Sequence, residues 1–255
     1  MTINYIDDLD IEGKRVLIRA DYNVPYDSNM AITDDSRIRA TLPTINYCIE
    51  RNCVIILVSH LGRPKGKPVP EMSLRPVAER LGLMLGRDIS FLDTHPGPAL
   101  AEIAGRMKSG HIALLENIRF YPGEEKNDPE FGKSLAGLCD VYINDAFATA
   151  HRAHASNDAI TNYAKVSAAG FLLKNEIEYY KKAMDRPERP LGAIIGGAKV
   201  STKLAALKNV VSKVDYLIIG GGMAFTFLKA MGYGVGKSLL EEDLVGEAGE
   251  IMKLA

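Results

Sequence analysis

Net charge is the first thing this sequence lacks. Thirty-one Lys and Arg stand against 32 Asp and Glu, a formal balance of -1, so no overall field draws the chain to nucleic acid or to an anionic membrane. Any anion must be caught by a local cluster. Cysteine is scarce as well: Cys48, Cys53 and Cys139 are the three, and none belongs to a CxxC pair. Two of them sit in strongly apolar stretches, where buried free thiols are expected, and that suits a reducing cytoplasm. No apolar run approaches the ~20 residues of a membrane span. Asp7, Asp8 and Asp10 precede any apolar stretch, unlike a secretory signal. A soluble, unexported, cytoplasmic protein is expected.

What is present is an ordinary folding composition, 255 residues of which 47% are hydrophobic and 25% charged, enough for one or two cores. Short apolar runs alternate with longer stretches of helical period, which predicts an α/β fold with a doubly wound parallel sheet. Strands are expected at Arg15–Ala20, Val54–Ser59, Ile89–Leu92, Ile112–Leu115, Val141–Asn144, Ala193–Ile195 and Tyr216–Ile219. Helices are expected at Ser36–Arg51, Ser73–Leu85, Pro98–Met107, Pro129–Leu138, Ala168–Met184, Thr202–Val211 and Met223–Met231, with Asp35 or Ser36, and Ser73, as N-caps. The segment Asp185-Arg-Pro-Glu-Arg-Pro190 follows a helical pattern with two prolines and four charges, so a domain boundary is expected near it.

Two nucleotide motifs fail on spacing. Gly236-Lys237-Ser238 ends like a P-loop, but the earlier glycine would fall on Met231. Gly220-Gly221-Gly222 follows a strand and opens a helix, but the third glycine of a dinucleotide fingerprint would fall on Phe225. The failed fingerprint argues against a nicotinamide-dependent dehydrogenase. A single glycine cluster fits a tight turn equally well, yet Gly196-Gly197-Ala198-Lys199 repeats the arrangement one strand earlier. The spacing predicts Lys199 and Lys203 on one helical face, and the two junctions together suggest a phosphate-binding wall.

The first half carries a different cluster, because polar and basic residues recur where strands should end. Arg19-Ala-Asp21-Tyr-Asn23-Val-Pro25, His60-Leu-Gly-Arg63-Pro64, Asn117-Ile-Arg119-Phe and His151-Arg152-Ala-His154 all land at one sheet edge, where open α/β sheets bind ligands. Arg63, Arg119 and Arg152 converging there would repel one another without an anionic guest, so a small, multiply charged anion is implied. Asp21 and Asn23 add groups able to orient a hydroxyl or carboxylate. His151 and His154 have a helical metal-ligand spacing, but no Cys or suitably spaced carboxylate completes a zinc set.

These segments, together with Leu115-Glu-Asn-Ile-Arg-Phe, Asn144-Asp-Ala-Phe, Gly196-Gly-Ala-Lys-Val and Gly220-Gly-Gly-Met-Ala-Phe-Thr-Phe, resemble the phosphoglycerate kinase family in that family's order along the whole chain. The resemblance implies reversible phosphoryl transfer between 1,3-bisphosphoglycerate and ADP, giving 3-phosphoglycerate and ATP. It implies that Asp21, Asn23, Arg37, His60, Arg63, Arg119 and Arg152 hold 3-phosphoglycerate, and that Gly197, Ala198, Lys199, Lys203, Gly221 and Gly222 line the site for ATP or ADP with Mg2+. Arg37 and Lys199 would be the catalytic cations, acting together when the domains close about a hinge. The implied organisation is a 3-phosphoglycerate domain over 1–170, an interdomain helix and linker over 171–188, and part of a nucleotide domain over 189–255, in a monomer. The chain departs from the family at its end, Glu250-Ile-Met-Lys-Leu-Ala255, which reads as helix without a cap. A truncation is therefore expected, lacking the family's metal-binding aspartate, and the alternative function is a non-catalytic 3-phosphoglycerate-binding fragment.

Overall fold

A strand buried on both faces needs apolar residues at every position, and Val54–Val58 and Ile112–Leu115, buried throughout, meet that demand. The structure is a computed structural model that describes residues 3–185 and 187–255. Arg186, within the expected boundary segment, lies outside the described residues. Two compact units are present, one ending at Ile177 and the other Glu178–Ala255.

The first unit is built on six parallel strands: β1 (Arg15–Ala20), β2 (Val54–Val58), β3 (Ile89–Leu92), β4 (Ile112–Leu115), β5 (Val141–Asp145) and β6 (Ser167–Ala169). Their spatial order is β3-β4-β2-β1-β5-β6. Around them run α1 (Ser36–Glu50), α2 (Arg75–Leu85), α3 (Pro98–Arg106), the single turn α4 (Pro122–Glu125), α5 (Pro129–Ala136), the single turn α6 (Phe147–Ala150) and α7 (Phe171–Met184), which carries the chain into the second unit.

Alternate strand residues feed two separate cores. Val16, Ile18, Ile55, Leu57 and Ile143 pack with Ile38 and Ile45 of α1 and Val77 and Leu81 of α2. Leu17, Ile56, Val58 and Tyr142 pack instead with Leu100 of α3 and Phe131 and Leu135 of α5. Helices thus cover both faces, the doubly wound arrangement expected from the sequence, and each fully buried Ile or Leu contributes about 1.5–3 kcal/mol. The chain leaves β1 for β2 on one side and β5 for β6 on the other. The carboxyl ends of β1 and β5 therefore flank the switch point where such sheets bind ligands.

Some expected boundaries move, for identifiable reasons. Ala168 and Ala169 belong to β6, not to a helix: β6 pairs with β5, and Ala169 N donates to Asn4 O at 2.9 Å. The helix starts at Phe171, where Asp145 Oδ1 accepts from Leu172 N at 2.9 Å and Leu173 N at 3.1 Å. Ser73 is not the N-cap of α2, since the helix begins two residues later. Its hydroxyl donates to Glu116 Oε2 at 2.7 Å and accepts from Arg75 N at 3.2 Å. Asp35 does occupy the N-cap position of α1, but its carboxylate is taken by Arg39 and Arg80.

The second unit pairs β7 (Gly192–Gly196) with β8 (Tyr216–Gly220) in parallel and adds α8 (Leu204–Val210), α9 (Ala224–Ala230) and α10 (Val245–Leu254). One sheet face is covered, where Ile195, Leu217 and Ile219 meet Leu207, Met223, Phe227 and Ile251. Ile194, Tyr216 and Ile218 are exposed. Lys199 and Lys203 do not share a helix face, because Ser201–Lys203 form a turn and α8 starts only at Leu204. Among the described residues no helix is long and apolar enough to cross a membrane.

Candidate active site

Three loops leave the carboxyl edge of the first sheet and are laced together by their own polar groups. Beyond β1, Tyr22 N donates to Ser59 Oγ at 2.8 Å, which ties the β1 and β2 ends. Asn23 Oδ1 accepts from Gly62 N at 2.9 Å, and Arg119 Nη1 donates to Gly62 O at 2.8 Å. Gly62 has φ of +61°, so the turn favours glycine. Asn117 closes the third loop, with Nδ2 donating to Leu61 O at 2.7 Å and Oδ1 accepting from Arg119 N at 3.1 Å. The pieces that carry His60, Arg63 and Arg119 are thereby fixed to one another.

Below this rim lies a buried ionic network. Arg19 is 0% exposed and donates Nε to Ser156 Oγ at 2.9 Å, while its Nη2 lies 3.2 Å from His60 Nδ1. Ser156 Oγ donates to Glu124 Oε1 at 2.7 Å and Ser156 N to Glu124 Oε2 at 2.9 Å. Glu124 is also 0% exposed. Burial opposes its ionisation, but His154, Arg19 and Ser156 outweigh that and hold its carboxyl below the ordinary range. These contacts anchor the loop that carries Arg152.

The sequence-derived residues separate into a fixed set and a free set. Asp21, 7% exposed, accepts from Asn23 N at 3.2 Å and is ion-paired with Arg37 Nη1, which reaches it from the first turn of α1. His60 is buried; its burial, then Arg19, Arg119, His154 and Arg152, push its pKa down to about 2, so the ring is neutral. Arg119, 5% exposed, has its pKa lowered by burial and by Arg19 and Arg152, against the attraction of Glu125 3.4 Å from its Nε. Arg63 and Arg152 are exposed and make no side-chain hydrogen bond or ion pair with the described residues. His60, Arg119, Arg152 and the buried Arg19 thus share one electrostatic neighbourhood, a concentration of positive charge with one buried carboxylate beneath it.

Arg19, Ser156 and Glu124 form the part that sequence reasoning did not assign. A charged residue inside the apolar strand Arg15–Ala20 was a signal for the first. Glu124 had none. A cleft of about 1000 Å³ beside α2 and β3, lined by Arg75, Glu79, Arg87 and His111, shares no residue with this site.

In the second unit the two glycine-rich strand ends pack on each other. Met223 N donates to Gly197 O at 2.9 Å. A Cβ on Gly221, whose φ is +69°, would lie 2.8 Å from Gly197 O, and one on Gly222 would lie 3.0 Å from Ala198 O. Close backbone approach between the loops therefore accounts for glycine at 221 and 222. Lys199 and Lys203 are exposed beside them. Glu241 accepts from Ser201 N at 3.1 Å and Ser201 Oγ at 2.6 Å, which with Lys199 nearby holds its carboxyl low. Among the described residues no group of three or more His, Cys, Asp or Glu could hold a metal ion, and His151 and His154 form no such group.

A parallel α/β unit with basic residues gathered at its switch point, followed by a second α/β unit with glycine-rich strand ends, defines the class of this protein. Comparison with known proteins narrows the class to a family. The family model described as phosphoglycerate kinase matches residues 6–255. The chain is 54% identical over 249 residues to a phosphoglycerate kinase of Geotalea uraniireducens, covering 97% of this chain and 62% of that protein. It is 56% identical over 246 residues to one of Geobacter metallireducens, covering 96% and 62%. The solved phosphoglycerate kinase of Coxiella burnetii superposes with a TM-score of 0.89 at 42% identity, over 99% of this chain and 63% of that one. The chain belongs to the phosphoglycerate kinase family, and it spans a little over three-fifths of the length of these relatives.

Proposed function

We propose that the chain serves reversible phosphoryl transfer between 1,3-bisphosphoglycerate and ADP, giving 3-phosphoglycerate and ATP. The observation that carries this reading is the rim of cations at the switch point, with Arg152 and Arg63 making no ion pair among the described residues and Arg119 only partly neutralised. Like charges held together cost energy until an anion arrives, and charge-assisted hydrogen bonds then make its capture favourable. In this reading Arg63, Arg119 and Arg152 take the phosphate, while Asp21, Asn23, Arg37 and His60 orient the hydroxyl and carboxylate.

The residue types fit the chemistry. The phosphoryl acceptor in the ATP-consuming direction is a carboxylate, ionised at pH 7, so no general base is required. What the step needs is alignment and neutralisation of charge spreading over the transferring oxygens. Arg37, held at the rim by Asp21, and Lys199 are the cations assigned to that task. The loops at Gly197–Lys199 and Gly221–Gly222, with Lys203, are assigned to ATP or ADP. The described residues do not supply a carboxylate cluster for the Mg2+ that accompanies such nucleotides. A monomer working in the cytoplasm completes the reading.

Calorimetric titration tests the first half of it. 3-Phosphoglycerate should bind saturably and glycerate, which lacks the phosphate, far more weakly; equal binding of the two would overturn the assignment. A second reading, a phosphoglycerate-binding module without turnover, is favoured by the missing carboxylate cluster. A coupled ATP assay on the same preparation separates the two.

A further inference from the structure

Arg19 and His60 meet beneath the cation rim, and their contact admits only one arrangement of protons. Arg19 Nη2 lies 3.2 Å from His60 Nδ1. A guanidinium offers donors only and does not lose its proton in a protein, so Nδ1 must be the acceptor. The single proton of the neutral ring then sits on Nε2. The guanidinium is itself held, because its Nε donates to Ser156 Oγ at 2.9 Å and that hydroxyl donates to Glu124 Oε1 at 2.7 Å. A buried cation requires a buried counter-charge, and Glu124 supplies it across one hydroxyl.

We propose that Arg19, held by Ser156 and Glu124, is a positioning residue that fixes His60 as a neutral ring protonated on Nε2, so that the site presents a permanent hydrogen-bond donor there. The ring's hydrogen bond to Arg19 uses Nδ1, which leaves the Nε2 donor for a ligand. The charged and titratable groups facing the ring are Arg19 on β1, Arg119 after β4, and Arg152 and His154 after β5. Three of the four are permanent cations, and all oppose a second proton. The donor therefore does not switch on or off across the physiological range. Its role toward 3-phosphoglycerate rests on the reading proposed above; the proton arrangement does not.

Long-range 1H–15N correlation NMR on the 15N-histidine-labelled chain tests the arrangement directly, with His60 assigned by the His60→Gln variant. The pattern of a neutral ring protonated on Nε2, constant between about pH 5 and 8, is expected. A proton on Nδ1, or an imidazolium appearing in that range, would overturn the proposal. In Arg19→Met combined with Glu124→Gln, which removes both buried charges together, His60 should become a mixture of tautomers and affinity for 3-phosphoglycerate should fall about tenfold. An unchanged tautomer in that variant, folded by its remaining histidine signals, would show that Arg19 does not set it. Should the variant fail to fold, the same tautomer readout is taken from Ser156→Ala, which releases Arg19 Nε from its holder. Addition of 3-phosphoglycerate should shift the His60 Nε2 signal; the expected tautomer with no such shift would reject the ligand role alone.

Discussion

Truncating either Arg152 or Arg119 should weaken binding, but only the Arg119 truncation should also weaken the fold. Each is assigned one or more charge-assisted hydrogen bonds to the phosphate, and losing such a bond costs about 1.5–3 kcal/mol. At tenfold per ~1.4 kcal/mol, Arg152→Ala, exposed and screened by water, should weaken 3-phosphoglycerate about tenfold, the low end of that range. Arg119 is 5% exposed and sits among like charges, so its removal should approach a hundredfold, roughly the top of the range. Only Arg119 also holds the protein together, through its 2.8 Å bond to Gly62 O. Arg119→Ala should therefore lose a further ~0.5–1.5 kcal/mol of folding stability, while Arg152→Ala stays within about 0.5 kcal/mol of the parent. Isothermal titration gives the first pair of numbers and urea denaturation the second. Unchanged affinity in both variants would refute the phosphate assignment, and equal stability losses would refute the distinction between a fixed and a free cation.

Three further outcomes follow from other parts of the molecule. Arg37→Ala, tested in a turnover-competent preparation, should lower kcat by about a hundredfold with KM little changed, the mark of an interaction made mainly in the transition state; a raised KM with kcat intact would count against that role. Gly132→Ala should destabilise the first unit by roughly 1–3 kcal/mol through overpacking, because the new methyl would lie 2.7 Å from Ala159 Cβ and 2.8 Å from its carbonyl carbon, and an unchanged denaturation midpoint would show that the contact yields freely. Asp145 is buried, and burial pushes its pKa up to about 6 against the opposing hydrogen bonds of Thr44, Leu173 and Leu172, above the ~3.9 of an unfolded Asp. The folded state therefore holds the extra proton between those values, and stability should fall as pH rises through that window by at most about 3 kcal/mol. Asp145→Asn should flatten that slope in urea titrations from about pH 4 to 7; parallel curves would rule the titration out.

Strands covered on both faces announce themselves in the sequence, and β1, β3 and β4 were legible to the residue because each is a short, mostly apolar stretch bounded by turn or helix signals. β6 was not, since Ser167-Ala-Ala169 carries almost no apolar signal and owes its existence to pairing with β5. The gathering of basic loops at one edge was legible from strand and helix alternation alone. The support beneath them was not: Glu124 stands more than a hundred positions from Arg19 in the sequence, and their partnership through Ser156 exists only once the chain is folded. The glycine pairs were visible as backbone necessities, but that Gly221 faces Gly197 is a tertiary fact. The shared helical face of Lys199 and Lys203 failed because periodicity takes no account of the turn that delays α8.

The most direct test of the account follows backbone amide signals of the uniformly labelled chain during titration with 3-phosphoglycerate. Saturable shifts concentrated at Asp21–Asn23, His60–Arg63, Arg119 and Arg152, all at the carboxyl edge of the first sheet, are the predicted result. Binding that leaves these amides unmoved while shifting residues elsewhere, or no saturable shifts at all, would contradict the placement of the site at the switch point.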